Sequence, residues 1–126
     1  MAQPNLVIVI DDEDAIRSVI GRMLERIGFR AQTAGNGPDG ITLFHASADE
    51  VLCVLVDQNM PHMSGEATVR ELRALRPDAR VVLMSGQSSE DIAERYQALG
   101  LTGFLQKPFN LNDLRATVQA IAQSLA

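Results

Sequence analysis

The sequence predicts a single α/β domain over residues 1–126, with a central parallel sheet and helices on both of its faces. Three short runs are apolar at every position, which is typical of strands with both faces buried. They alternate with segments whose apolar residues recur every three or four positions, as in amphipathic helices. Strand and helix alternate five times, an order that favours right-handed crossovers between parallel strands. A length of 126 residues suits one core rather than two domains.

Five segments are predicted as strands. In chain order they are residues 6–10, 29–33, 51–56, 81–84 and 103–105. The second and the fifth are weaker candidates than the three fully apolar runs. Cys53 is the one cysteine of the chain and lies in the third strand. It is therefore predicted to be a small buried core residue without an internal disulfide.

Five helical patterns follow the strands, and the last is the clearest. Asn110 precedes it as a predicted N-cap, and Asp113 lies in its first turn. Ser88 and Asp91 have the spacing of a capping box at the start of the fourth helix. The apolar positions of the five patterns, in chain order, are Ile16, Ile20, Met23 and Ile27; Ile41 and Phe44; Val69, Leu72 and Leu75; Ile92, Tyr96 and Leu99; and Leu111, Leu114, Val118, Ile121 and Leu125.

Charge and hydropathy argue against several classes of function. The net charge of −5 and the lack of a basic block argue against direct nucleic-acid binding. No apolar run approaches the roughly 20 residues that a membrane span requires. The first residues also lack the basic and apolar regions of a secretory signal. We therefore expect a cytoplasmic protein that has no contact with a membrane.

Four acids follow the first predicted strand, and a fifth acid follows the third. In folds of this kind ligands bind outside the carboxyl ends of the strands, so these acids are expected to meet there. A helix N-terminus favours negative charge, which explains Glu13 and Asp14 as capping residues. Asp11, Asp12 and Asp57 remain as a cluster of hard oxygen donors suited to Mg²⁺ or Mn²⁺.

With a divalent cation bound, Asp57 is a candidate nucleophile that could form an aspartyl phosphate. Lys107 and the Ser85 hydroxyl are predicted to bind the oxygens of the phosphoryl group, and Gly86 leaves the approach open. Lys107 is the one lysine beside ten arginines, and its compact ammonium is not reproduced by a guanidinium. Taken singly, Asp57 or Ser85 also fits a turn, and Lys107 fits an ordinary surface charge.

Over essentially its whole length the sequence resembles the receiver domain of two-component response regulators. The matching residues are Asp11-Asp12, Asp57 with Asn59-Met60-Pro61 and Gly65, Ser85-Gly86, and Lys107-Pro108-Phe109. The resemblance implies a flavodoxin-like (βα)5 fold with a doubly wound, five-stranded sheet in the order 2-1-3-4-5. The sequence around Ser85 and Lys107 is also similar to that of receiver domains at the carboxyl end of hybrid sensor histidine kinases.

The resemblance implies a role for each acid. Asp57 accepts a phosphoryl group from the phosphohistidine of a histidine kinase or a histidine phosphotransfer protein. Asp12 and Asp57 bind Mg²⁺ directly, and Asp11 acts mainly through water. Asn59 contributes its main-chain carbonyl. Such a domain is a phosphoacceptor that catalyses its own phosphorylation and dephosphorylation rather than an enzyme, although its parent protein could be a hybrid histidine kinase.

The resemblance also implies a switch. Lys107 and Ser85 bind the phosphoryl oxygens, and a cis peptide bond before Pro108 aims the ammonium into the site. Ser85 is coupled to the aromatic Phe104, which moves inward on phosphorylation. Many members have tyrosine there, so Phe104 can signal by packing but not through a hydroxyl. An ordinary core aromatic is the competing interpretation.

A surface formed by the fourth helix, fifth strand and fifth helix is implied as the contact for an output partner or a second copy of the chain. We call it the output surface. It carries Glu90, Glu94, Arg95, Gln97, Arg115 and Gln119. A charged helix face is more often simply solvated. His45 and His62 are predicted to be surface residues.

Three other functions compete with that of a phosphoacceptor. A small Mg²⁺-dependent phosphatase of the haloacid-dehalogenase type needs a second acid two residues after the nucleophile, where this chain has Asn59. A flavin-binding module would place hydroxyls and amides after the first strand, where this chain has four acids. The third rival is a receiver-like interaction module that is never phosphorylated. The presence of Asp57, Ser85 and Lys107 argues against it.

Overall fold

The structure is a computed structural model that describes residues 3–125, apart from the side chains of Ser89, Arg95 and Tyr96. The strands are β1 (Leu6–Ile10), β2 (Arg30–Ala34), β3 (Val51–Asp57), β4 (Val81–Ser85) and β5 (Gly103–Gln106). They form one five-stranded sheet in the order β2-β1-β3-β4-β5, and every pair is parallel. The predicted fold class and strand order are therefore confirmed.

Helices cover both faces of the sheet. They are α1 (Asp14–Arg26), α2 (Gly37–Ser47), α3 (Gly65–Leu75), α4 (Ser89–Gln97) and α5 (Leu111–Ser124), with a short 3-10 turn at Ala48–Glu50. One core layer joins the sheet to α1 and α5, and the opposite layer joins it to α2, α3 and α4. None of the helices in the described part of the chain is long and apolar enough to cross a membrane.

The central strands are buried on both faces, as their continuous apolar sequences predict. Every residue of β1, β3 and β4 is buried, including Cys53. Three strands run one residue further than the apolar pattern, because the backbone ladder continues through the polar residues Asp57, Ser85 and Gln106. The edge strand β2 runs from Arg30 to Ala34 rather than over 29–33, since its pairing with β1 sets its ends.

Helix caps follow the predictions at two sites and differ at a third. The Asn110 side chain accepts a hydrogen bond from the Asp113 amide at 2.8 Å, and the Asp113 carboxylate accepts one from the Asn110 amide at 3.0 Å. The Asp91 amide donates to Ser88 Oγ at 3.3 Å. Glu13 occupies the N-cap position of α1, but its side chain makes no capping hydrogen bond. Capping therefore does not account for the Glu13 carboxylate.

Two predicted apolar positions lie partly outside the core. Leu75 is 48% exposed and Leu125 is 38% exposed. Leu75 is the last residue of α3 and Leu125 is the C-cap of α5, so both stand where the helix leaves the sheet. Tyr96, predicted on the apolar face of α4, has a side chain outside the described residues.

Candidate functional site

The predicted acids meet at the carboxyl edge of the sheet. Asp57 is the last residue of β3, and Asp11 directly follows the neighbouring strand β1, whose Ile10 pairs with Val56. One carboxylate oxygen from each of Asp11, Asp12 and Asp57 lies within 4.8 Å of the others. Asp11 is fully buried and Asp57 nearly so, whereas Asp12 is exposed. The cluster is therefore open to solvent on the Asp12 side.

Lys107 reaches this cluster from the end of β5. Its Nζ lies 2.8 Å from Asp11 Oδ2 and 3.3 Å from Asp57 Oδ1. Its backbone amide donates to the Ser85 carbonyl at 2.7 Å, which ties the loop to the end of β4. The peptide bond between Lys107 and Pro108 is cis, as the resemblance implied. A residue distant in sequence thus supplies the ammonium that two buried carboxylates share.

The electrostatics of the cluster favour a bound cation. Burial, and then the neighbouring Asp11 charge, raise the pKa of Asp57 to about 6, against a smaller lowering by Lys107. Burial lowers the pKa of Lys107, but its hydrogen bond to Asp11 and the charge of Asp57 outweigh that effect, so the net pKa is raised. Lys107 alone therefore does not offset the cost of a charged Asp57, and Mg²⁺ would supply the missing positive charge.

We expect the metal-free protein to lose stability, relative to Asp57→Asn, as the pH rises from about 4 to about 6. The ordinary pKa of Asp57 is 3.8, and its folded value of about 6 is higher, so the folded state holds the proton more tightly. The stabilisation is present at low pH and is lost as the pH rises. Since one pKa unit corresponds to about 1.4 kcal/mol, the loss is about 3 kcal/mol.

Urea unfolding of both proteins in the presence of a chelator, at several pH values between 4 and 7.5, measures this difference. The Asp57→Asn variant is the matched control, because it removes the Asp57 carboxylate and leaves every other residue in place. A free-energy difference that does not change with pH would contradict the expectation.

Ser85 is buried at the end of β4, and its hydroxyl takes part in a small polar network. It donates to Gln58 Oε1 and accepts from the Gln87 amide at 3.0 Å. The Gln58 side chain in turn donates from Nε2 to Gln87 Oε1 at 3.1 Å. Neither glutamine was singled out from the sequence. The available signal for Gln58 was a polar residue directly after Asp57, at the end of an otherwise apolar strand.

The side chains of Asp11 and Arg17 hold the backbone of the loop between β1 and α1. Asp11 Oδ1 accepts a hydrogen bond from the Glu13 amide at 3.0 Å, so an acid of the cluster also braces the start of α1. Arg17 donates from Nη1 to the Asp11 carbonyl at 2.7 Å and pairs with Asp14 through Nη2. Arg17 was not predicted from the sequence. Its position one turn into α1, facing the loop that precedes the helix, was the available signal.

Gly65 allows the start of α3 to approach the end of β3. A Cβ at this position would lie 2.5 Å from the Asp57 carbonyl oxygen and 2.9 Å from Gln58 Cα. The Gly65 amide also donates to the Gln58 carbonyl at 3.1 Å. By contrast, a Cβ at Gly86 meets nothing within 4 Å, so Gly86 faces open space.

We predict that Gly65→Ala lowers the free energy of unfolding by about 1–3 kcal/mol, because the backbone that carries Asp57 must shift to admit the methyl group. Gly86→Ala is the matched control and should change stability by less than about 0.5 kcal/mol. Urea unfolding measures both. Equal effects of the two substitutions would show that close packing at Gly65 is not important.

The residues predicted for the switch and the output surface belong to β4, α4, β5 and α5. Phe104 is half-buried and packs against Leu83 and Ile92. On the output surface, Glu90, Glu94 and Gln97 are exposed and Arg115 and Gln119 are half-buried, whereas the Arg95 side chain lies outside the described residues. Asn59 is exposed next to the acidic cluster, and His45 and His62 are exposed as predicted.

A family model for the response regulator receiver domain matches residues 7–119, which is most of the chain. This chain belongs to that family. Receiver domains are the phosphoacceptors of two-component signalling, so the predicted class of function is confirmed. They bind Mg²⁺ through an acidic cluster, which in this chain is Asp11, Asp12 and Asp57. These three carboxylates are hard oxygen donors, and Lys107 neutralises the buried charge of Asp57 only in part. The cluster therefore fits such an ion.

Two curated relatives are much longer than this chain. The sensor kinase CckA of Brucella abortus is 33% identical over 117 residues, which cover 93% of this chain and 12% of the kinase. The DNA-binding transcriptional regulator NtrC of Azospirillum brasilense is 32% identical over 119 residues, covering 94% of this chain and 24% of the regulator. The chain therefore spans a quarter or less of these two relatives.

Solved structures of receiver domains have the same fold. A response regulator receiver domain protein from Clostridium thermocellum superposes with a TM-score of 0.88 at 28% identity, covering 95% of each chain. The response regulator TrrA of Thermotoga maritima, in complex with Mg²⁺-BeF, superposes with a TM-score of 0.82 at 26% identity, covering 93% of this chain and 98% of TrrA. Both match nearly the full length of the receiver domain described above.

Proposed function

We propose that Asp57 is the residue of this receiver domain that is phosphorylated, in a reaction that requires Mg²⁺. The main support is the convergence of three carboxylates within 4.8 Å, two of which share the ammonium of Lys107. Asp12 and Asp57 would bind the ion directly, Asn59 would do so through its main-chain carbonyl, and Asp11 would act through water. Mn²⁺ could replace Mg²⁺ with the same oxygen ligands.

The transfer is a displacement at phosphorus. A carboxylate oxygen of Asp57 attacks, a P–O bond forms, and the P–N bond of the donor phosphohistidine breaks with its electron pair returning to the imidazole. Mg²⁺ held by Asp12, Asp57 and the Asn59 carbonyl would offset the repulsion between the incoming anion and the acids. Lys107, already within 3.3 Å of Asp57 Oδ1, donates to a phosphoryl oxygen as charge develops there. The Ser85 hydroxyl supplies a second donor after it turns towards the site.

The response is proposed to pass from Ser85 to Phe104 and the output surface. Phe104 packs against Leu83 of the strand that ends in Ser85 and against Ile92 of α4. A change of the Ser85 rotamer can therefore alter the packing beneath α4. The phosphorylated form would then bind an output partner or a second copy of the chain through α4, β5 and α5.

The donor is proposed to be a histidine kinase or a histidine phosphotransfer protein. We further propose that residues 1–126 form one receiver domain, and that the parent protein is a hybrid sensor histidine kinase. The similarity to the sensor kinase CckA supports this assignment, and the similarity to NtrC is the competing observation. The parent reading frame decides between these two.

Incubation of the wild-type chain with Mg²⁺ and a small phosphodonor such as acetyl phosphate tests the proposed function. Intact mass measurement should detect one phosphoryl group, and a chelator should prevent its addition. Reduction of the acyl phosphate with borohydride, followed by peptide mapping, should locate the group on Asp57. A chain that stays unmodified, or that is modified at another residue, would contradict the proposal.

A further inference from the structure

We propose that Gln58 is a positioning residue that holds the Ser85 hydroxyl away from the phosphoryl site, and so sets the affinity of the metal-loaded domain for a phosphoryl group. The inference rests on the proposed function of Asp57 and adds a residue that opposes activation. Gln58 and Ser85 are both buried, at 6% and 1% exposure, so water does not readily replace the contact between them.

The Ser85 hydroxyl has a single proton, which it can donate to one acceptor at a time. Ser85 donates that proton to Gln58 Oε1. A lone pair of the same oxygen accepts from the Gln87 amide at 3.0 Å. Since a hydroxyl has one hydrogen to donate, Ser85 cannot donate to a phosphoryl oxygen until its bond to Gln58 breaks. Binding of the phosphoryl group and the bond to Gln58 therefore compete for one proton.

Gln58 is held through both its backbone and its side chain. Its backbone amide donates to the Met84 carbonyl at 2.9 Å, and its carbonyl accepts from Gly65 at 3.1 Å. Its side-chain amide donates to Gln87 Oε1 at 3.1 Å. With both backbone and side chain fixed, Gln58 cannot follow Ser85 as the hydroxyl turns. The turn therefore costs a buried hydrogen bond, which lowers the affinity for the ligand that requires it.

Beryllofluoride with Mg²⁺ is the probe, because it mimics a phosphoryl group on a carboxylate without forming a lasting covalent bond. Titration calorimetry should show that Gln58→Met, which keeps the side-chain length but removes the acceptor, binds beryllofluoride about threefold to tenfold more tightly than wild type. Gln123→Met on the exposed end of α5 is the matched control and should bind as wild type does.

A double-mutant cycle separates this role from a general effect on structure. In a Ser85→Ala background no hydroxyl proton remains, so Gln58→Met should leave the affinity unchanged within about twofold. An equal gain in affinity with and without Ser85 would show that Gln58 acts through packing, and would overturn the inference. So would an unchanged affinity of Gln58→Met in the wild-type background.

Gln87→Met provides a second variant at an exposed position, in case the buried substitution unfolds the chain. This variant removes the acceptor of the Gln58 side-chain amide. It should increase the affinity for beryllofluoride by about twofold, again only when Ser85 is present. An unchanged affinity in this variant would count against the inference. If the wild-type chain fails to bind beryllofluoride at all, the proposed function itself is wrong, and the inference falls with it.

Discussion

Asp57→Asn is expected to abolish phosphorylation of the receiver domain. The amide has no anionic oxygen to attack phosphorus, and both oxygens of Asp11, the other carboxylate that contacts Lys107, already accept hydrogen bonds. Asp11 is fully buried and is hydrogen-bonded to Lys107 at 2.8 Å, and Asp12 lies on the open side of the cluster. We therefore expect no phosphoryl adduct after incubation with Mg²⁺ and acetyl phosphate.

Intact mass measurement over a time course detects the adduct in wild type and variant together. Asp78→Asn, at an exposed position between α3 and β4, is the matched control and should be phosphorylated at the wild-type rate. Urea unfolding at pH 7.5 without metal should show in parallel that Asp57→Asn is folded and more stable than wild type. Phosphorylation that persists in Asp57→Asn would mean that another residue is the acceptor.

The same carboxylate is thus expected to reduce stability and to carry the reaction. Asp57 is held at the end of a fully buried strand, where desolvation and Asp11 both oppose its charge. A core of similar shape without the charge would be more stable. In return for this loss of stability, the nucleophile lies close to the acidic cluster and to the Lys107 ammonium before the phosphodonor binds. Such preorganisation lowers the barrier to phosphoryl transfer.

Much of the sheet could be predicted because its central strands are buried on both faces. The run from Val51 to Val56 has no polar residue, and only a strand or a buried helix can accommodate such a segment. The exact ends of the strands were less predictable. The apolar run ends before the first polar side chain, whereas the backbone pairing of the strands continues through Asp57 and Ser85. The order of the strands came from the resemblance, since alternation of strand and helix does not specify neighbours.

The residues that meet at the site could be predicted from their positions after the strands, but their contacts could not. Asp11 and Lys107 are 96 residues apart in sequence, and only the parallel sheet brings their side chains together. The contact between Gln58 and Ser85 depends on two rotamers and on the register of β3 against β4. A single sequence contains no periodic signal for such a contact. The side-chain contacts within the site therefore could not be predicted from the sequence.

Lys107→Met is expected to slow phosphorylation by acetyl phosphate about 100-fold to 1000-fold. The variant keeps the length of the side chain but removes the donor aimed at Asp57 Oδ1 from 3.3 Å. Loss of one donor that stabilises charge in a transition state has about this effect on the rates of enzymes. Single-turnover rates measured by intact mass at saturating Mg²⁺ provide the test. A rate close to wild type would show that the metal alone stabilises the phosphoryl oxygens.

Lys107→Arg distinguishes charge from geometry at the same position. The ammonium lies between Asp11 Oδ2 and Asp57 Oδ1, and the backbone amide of Lys107 is fixed to the Ser85 carbonyl. A planar guanidinium on a longer side chain cannot occupy that point without moving a carboxylate, so we expect phosphorylation about tenfold or more slower than wild type. Arg26→Lys at the exposed end of α1 is the matched control for a change of cationic group. If Lys107→Arg reacts at the wild-type rate while Lys107→Met does not, the site requires a positive charge there and tolerates either shape.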